Sequence, residues 1–227
     1  ASKPVQAAAY KLILDRQVGN KDLHEKVAMV AAGNLATDKA IVHQMSTALQ
    51  SRMIHYEMEI DHKAWLQWAM ENNFDHRILG YINYQPSMLM NFNPDHSDLT
   101  FACPRTWEFL NRLVKDKPVG QEISARVSGT VGAGVATTFI TFCDVYKDLP
   151  SMDKIVADPD GVEVPTEPST RYAVMTMMVE KFSSSDIGQV IKYLKKFPPE
   201  FQIVFLKGAT VKHPKLRQEN KDFADYV

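Results

Sequence analysis

Residues 27–61 (VAMVAAGNLATDKAIVHQMSTALQSRMIHYEMEID) restrict the possible folds of this chain more than any other stretch. Val27, Ala28, Met29, Val30, Ala31 and Ala32 form an apolar run closed by Gly33 and Asn34, too short for an ordinary helix. A run of this kind suits a parallel strand covered on both faces, where strict alternation is not required. Residues 38–48 then set Ala40, Ile41, Met45 and Ala48 at helical spacing. Residues 53–60 alternate late in their run and predict a second strand. In open α/β sheets, ligands bind beyond the carboxyl ends of the strands, which is where Gly33 and Asn34 fall. Asn34 has a plain alternative as a turn former. Its amide can also donate to a phosphate while accepting from a water. Arg52, just before the second strand, is either a solvated surface charge or a cation reserved for an anionic group.

The flanking sequence is read mainly as helix. Ser2 is positioned to cap a helix from Lys3 to about Arg16, with Pro4 in its first turn and Val5, Ala8, Ala9, Leu12 and Ile13 as its apolar stripe. Gly19 stops it, and residues 19–26 suit a turn or small hairpin. Residues 62–73 predict a helix carrying Trp65 and Trp68, which are read as packing groups. Residues 77–89 read as helix until Pro86, and residues 91–103 as a loop. A compact helix follows over 106–115, with Pro104 and Arg105 at its entrance. Residues 123–144 predict one long helix whose small residues, Ser128, Gly129, Gly132, Ala133, Gly134 and Ala136, provide a closely packed face. An irregular crossing over 149–168 holds a short helix at 151–157. Further helices are expected over 169–182, 186–195 and 200–207, and the remaining tail is weakly patterned. Three regions result: 1–61, 62–119 and 120–227.

Composition excludes several classes of function. The 227 residues carry a formal net charge of -1, so no global basic field points to nucleic acid. The lysines and arginine at 192, 195, 196, 207, 212, 215 and 217 make the C-terminal quarter locally basic, read as solvated helix faces with a nucleic-acid contact as the alternative. Two distant cysteines, Cys103 and Cys143, suit a reducing compartment. With no signal-peptide pattern and no apolar stretch of membrane-spanning length, the expectation is a cytoplasmic protein without membrane insertion. The seven histidines form no metal-ligand spacing, and there is no Gly-x-Ser-x-Gly, so neither a metal site nor a serine hydrolase is expected. GTVGAGVATT lacks the Gly-Lys-Ser/Thr ending of a phosphate loop.

Several short motifs, in their order along the chain, resemble those of MoxR-type AAA+ ATPases. VAAGN (residues 30–34) resembles the sensor 1 strand. ALQSRM resembles the segment with the arginine finger, and CPRTW resembles sensor 2 at the start of a lid helix. The likeness extends through AAAYKLILDRQVG and FACPRTWEF but corresponds only to the later part of such proteins. The resemblance implies an α/β remnant of an AAA+ core, then a mostly α-helical lid and a helical C-terminal extension. It implies that Asn34 and Arg52 act in ATP hydrolysis and that Arg105 contacts the nucleotide. It further implies self-association into a ring, commonly a hexamer, acting on a protein partner. No phosphate-loop motif occurs, and no strand ending in Asp-Glu precedes Ala1, so ATP and Mg2+ are expected only with an upstream segment. The chain is then either the later part of an ATPase or a non-catalytic helical adaptor derived from one. In the first case the strands at 27–32 and 53–60 should stand apart around an open slot. In that case the first helix should expose its apolar face, and Asn34 and Arg105 should border a cleft. Direct pairing of the two strands would favour the adaptor.

Overall fold

The computed structural model describes residues 3–34, 45–95 and 98–227, and these are mostly helical. The chain divides into two units: Ala1–Glu59 with Asn93–His96, and Ile60–Phe92 with Ser97–Val227.

The first unit opens with α1 (Lys3–Leu14), which leads into a two-stranded antiparallel hairpin of β1 (Gln17–Val18) and β2 (Lys21–Asp22). Gly19 makes the turn at φ +63°, and the hairpin falls within the polar stretch expected to turn. Arg16 pins the chain that leaves it, its guanidinium donating to the carbonyls of His24, Glu25 and Val27. A short helix, α2 (Thr47–Gln50), is capped by Ser46. The Ser2 cap and residues 38–44 of the expected second helix lie outside the described residues. Neither 27–32 nor 53–60 is a strand: both lack regular secondary structure, have no ladder partner and do not pair with each other. The cause is that a strand exists only through its neighbours, and the only sheet among the described residues is the small hairpin. Val30 is 95% exposed and Met58 93%. Among the described residues of this unit only Leu49 is buried, and Val5 and Leu14 of α1 face solvent.

The second unit builds two packed cores. The first comprises α3 (His62–Glu71), α4 (His76–Tyr84), α5 (Pro104–Val114), α6 (Ser124–Val131) and α7 (Ala133–Val145). Its centre is Trp107, Tyr81, Phe139 and Ile78, with Trp107 Nε1 donating to the Met88 carbonyl at 3.0 Å. Asp61 and Asp75 cap α3 and α4, which is why both helices begin where they do. The second core comprises α8 (Met152–Ala157), α9 (Pro168–Lys181), α10 (Ile187–Leu194), α11 (Pro199–Lys212), α12 (Leu216–Glu219) and α13 (Lys221–Tyr226). Met175, Met177 and Met178 are buried in it, and Leu216 and Phe223 anchor the two tail helices that the sequence pattern does not announce.

The expected long helix over 123–144 is broken. α6 ends at Gly132, whose φ of +88° and ψ of 151° lie in a region that essentially only glycine occupies. The small face is also largely solvated: Gly129, Ala133 and Gly134 are exposed, and only Gly132 and Ala136 are buried. A Cβ on Gly132 would meet the Thr100 carbonyl at 3.4 Å, while one on Gly129 would meet nothing. Gly132→Ala is therefore expected to destabilise by about 1–3 kcal/mol. Gly129→Ala is expected to stabilise by about 0.5–1 kcal/mol, as helix interiors favour alanine. Chemical denaturation of the two variants, read as opposite shifts of the midpoint, checks both values.

Candidate functional site

Asn34 lies in the first unit, exposed at the end of the 27–34 segment, with no side-chain partner among the described residues. Arg52, in the same unit, is exposed in the turn after α2, and its Nη1 donates to the Ala48 carbonyl at 2.9 Å and to Ser51 Oγ at 3.3 Å. Arg105 belongs to the second unit, in the first turn of α5 rather than ahead of it. It is exposed and makes no hydrogen bond or ion pair among the described residues. Pro104 starts the helix without a backbone donor to satisfy, and Thr106 returns its hydroxyl to the Cys103 N–H, holding that turn. Each of the three candidates thus presents an accessible polar head. No described group of His, Cys, Asp or Glu is arranged to hold a metal ion.

The structure adds a cleft of about 250 Å³ in the second unit that no sequence motif signalled. It is lined by residues 73–77 of the α3–α4 turn, Lys115–Lys117 after α5, and Glu180 of α9. Its base is a buried ion pair. Asp75 accepts from Arg77 Nε at 2.8 Å, from Arg77 Nη2 at 2.6 Å and from the Arg77 backbone N–H at 2.9 Å. Arg77 Nη2 also donates to the Val114 carbonyl at 2.8 Å, while Asn111 Oδ1 accepts from the Asp75 N–H at 2.8 Å. Lys115 reaches back to the Asn73 carbonyl at 2.6 Å. These bonds staple the α3–α4 turn to the carboxyl end of α5, satisfying carbonyls that a helix end leaves open. Burial pulls the Arg77 pKa down, but the Asp75 hydrogen bond and charge outweigh it and the net shift is upward. With its inward donors committed in this way, Arg77 acts as a clamp on protein atoms.

His76 lies above this pair, its Nδ1 3.8 Å from Asp75 Oδ1 and its ring edge-on to Tyr146 at 5.1 Å. Tyr146 Oη donates to the His76 carbonyl at 3.2 Å and lies 2.7 Å from Thr176 Oγ1. Burial lowers the His76 pKa below its usual value, against the opposing pull of Asp75. Burial likewise pushes the Tyr146 hydroxyl and the Cys143 thiol well up, so both are neutral at ordinary pH. The one sequence clue to this network is an aspartate immediately ahead of a helical pattern, the mark of an N-cap. Comparison with protein-family models, with curated proteins and with solved structures finds no match.

Two outcomes follow from this geometry. Asp75→Asn leaves a buried guanidinium without its counter-ion, and about 3–5 kcal/mol of stability should be lost, measured by denaturant unfolding. His76 takes up its proton less readily when folded than when unfolded. Its contribution is therefore complete above about pH 6.5 and is lost as pH falls through the lower, folded-state value. Stability followed from pH 7 to pH 5 should decline more steeply in the native protein than in His76→Phe, which keeps an aromatic ring against Tyr146.

Proposed function

We propose that these residues form the later part of a MoxR-type AAA+ ATPase, with the remnant of its α/β core at 1–61, its lid at 62–119 and a helical extension at 120–227. The intact polypeptide couples ATP hydrolysis in a ring, hexameric in the family it resembles, to remodelling or maturation of a protein partner in the cytoplasm. The observation that carries this reading is that the described residues of the first unit form no core. They present one apolar and one alternating segment to solvent and bury only Leu49. Segments of that composition in a folded protein have sheet neighbours, because unpaired backbone along an apolar edge is costly. In this reading the neighbours come from residues preceding these 227.

The roles divide by chemistry. Asn34 orients the attacking water through its amide, which donates and accepts at once. Arg52 enters the active site of the adjoining subunit and stabilises charge on the transferring phosphoryl group; it is exposed in the turn after α2 and would exchange its bonds to Ala48 and Ser51 for that contact. Arg105 contacts the nucleotide of its own subunit. The phosphate loop and the carboxylates for Mg2+ lie outside this chain, which has no Gly-x-x-x-x-Gly-Lys-Ser/Thr and does not turn over ATP alone. One observation favours the second reading, a non-catalytic helical adaptor: the second unit completes two cores without any contribution from an ATPase sheet.

ATP turnover by the polypeptide that carries an upstream phosphate-loop segment separates the readings. Arg52→Ala should cut kcat by about 10³-fold or more while leaving nucleotide affinity nearly unchanged, since the group acts on a neighbour's transition state. Arg105→Ala should weaken both turnover and nucleotide binding. Mixed rings of Arg52→Ala subunits and subunits disabled in the phosphate loop should regain part of the activity. Absence of that recovery in rings proven to be mixed overturns the shared site, and a polypeptide without ATP turnover leaves the adaptor.

A further inference from the structure

Between α8 and α9 the chain crosses the second core as an irregular segment, residues 158–167. Its inner side is apolar: Val162 is 5% exposed, Pro159 is buried, and Val164 packs on the core. Its outer side carries Asp158, Asp160, Glu163 and Glu167, all exposed and none in an ion pair. An irregular segment has few backbone partners of its own, so its carbonyls must be satisfied from outside. Here the donors are side chains. The Lys196 ammonium, in the turn between α10 and α11, donates to the carbonyls of Val162 at 2.6 Å, Asp160 at 2.8 Å and Pro159 at 3.3 Å. Tyr193 Oη donates to the Glu163 carbonyl at 3.0 Å, and Arg171 Nε donates to the Pro165 carbonyl at 2.7 Å.

Lys196 dominates this arrangement. An ammonium has three N–H donors and all three are taken up by consecutive parts of one loop. Its charge also lies 5.5 Å from the centre of the Tyr193 ring, a cation–π contact that adds to the three carbonyl bonds. The loop holds only two backbone donors in bonds of its own, Gly161 N–H to Asp158 Oδ1 at 2.9 Å and Val162 N–H to the Asp158 carbonyl at 3.2 Å. The carbonyls turn inward around a cation, as they would around a bound monovalent ion.

We propose that residues 158–163 form a strap over the second core that is closed by a single positive charge at Lys196, and that loss of that charge opens the strap without unfolding the helices beneath. The carbonyl cage is a binding site for a primary ammonium group, which the protein fills with its own side chain. Opening uncovers Val162, a buried member of the second core, and exposes an apolar edge there.

Hydrogen exchange of the complete 227-residue chain tests this, with the Gly161 and Val162 amides as reporters. In Lys196→Met these amides should exchange at least about tenfold faster, the factor that matches loss of one charge-assisted hydrogen bond, while amides in α9 and α11 keep their protection. Lys196→Arg, which retains charge and donors, should lie near the native rate. In Lys196→Ala, ethylammonium chloride should restore slow exchange at 161 and 162, and sodium chloride at the same ionic strength should not. Unchanged exchange in Lys196→Met overturns the proposal, as does acceleration spread evenly over α9 and α11. Failure of ethylammonium to rescue Lys196→Ala overturns the ammonium site.

Discussion

The second unit depends on how closely α4 approaches α9. A Cβ added to Gly80 of α4 would lie 2.6 Å from Tyr146 Oη and 2.9 Å from Thr176 Oγ1, so only glycine allows those hydroxyls to meet against the α4 backbone. Tyr146 and Leu149 pack on both cores and Thr176 sits buried on α9, so this seam joins two helical bodies that each have a hydrophobic centre. A neutral, buried tyrosine fits a seam of this kind because its ring adds apolar area while its hydroxyl satisfies polar atoms from both sides. The Asp75–Arg77 clamp fixes the same end of α4 onto α5, so the helix is held on two sides at its amino terminus. His76, between them, inherits an environment in which its charge is unwelcome.

The first unit follows opposite physics. The chain that leaves its hairpin is tied by polar bonds, Arg16 donating to three carbonyls. Among the described residues, the second unit holds two cores and the first buries a single leucine, Leu49. Arg52 is held within its own turn, while the Asn34 and Arg105 side chains make no hydrogen bond among the described residues.

Helices were legible where local signals and tertiary needs agreed. Asp61, Asp75 and Ser151 cap helices close to where the apolar pattern starts them, and Trp107, Leu110 and Val114 bury one side of α5 while Leu113, expected on that side, is 42% exposed. The tail helices were illegible because Leu216 and Phe223 are isolated apolar residues whose burial is decided by distant neighbours. The break at Gly132 was hidden because a run of small residues reads alike for close packing and for an unusual backbone. The segments at 27–32 and 53–60 have strand composition, yet their state is a property of whatever lies beside them. Asn34, Arg52 and Arg105 could be picked out only as parts of motifs. The Asp75–Arg77 clamp belongs to no motif, and its partners, Asn111 and Val114, are more than thirty residues away.

The exposed segment at 53–60 has one more consequence, for solubility. Ile54, Tyr56, Met58 and Ile60 alternate in sequence with His55, Glu57, Glu59 and Asp61, so as a strand the segment would set an apolar side against a mostly acidic one. If two copies met edge to edge in parallel register, Glu57 would face Glu57 and Glu59 would face Glu59, and like charges directly opposite one another oppose pairing. These acidic residues serve as gatekeepers, a device that natural sequences place beside unavoidable apolar strands. They leave the segment able to accept a neutral or basic strand while resisting its own kind, so the same residues that keep it from aggregating also choose its company.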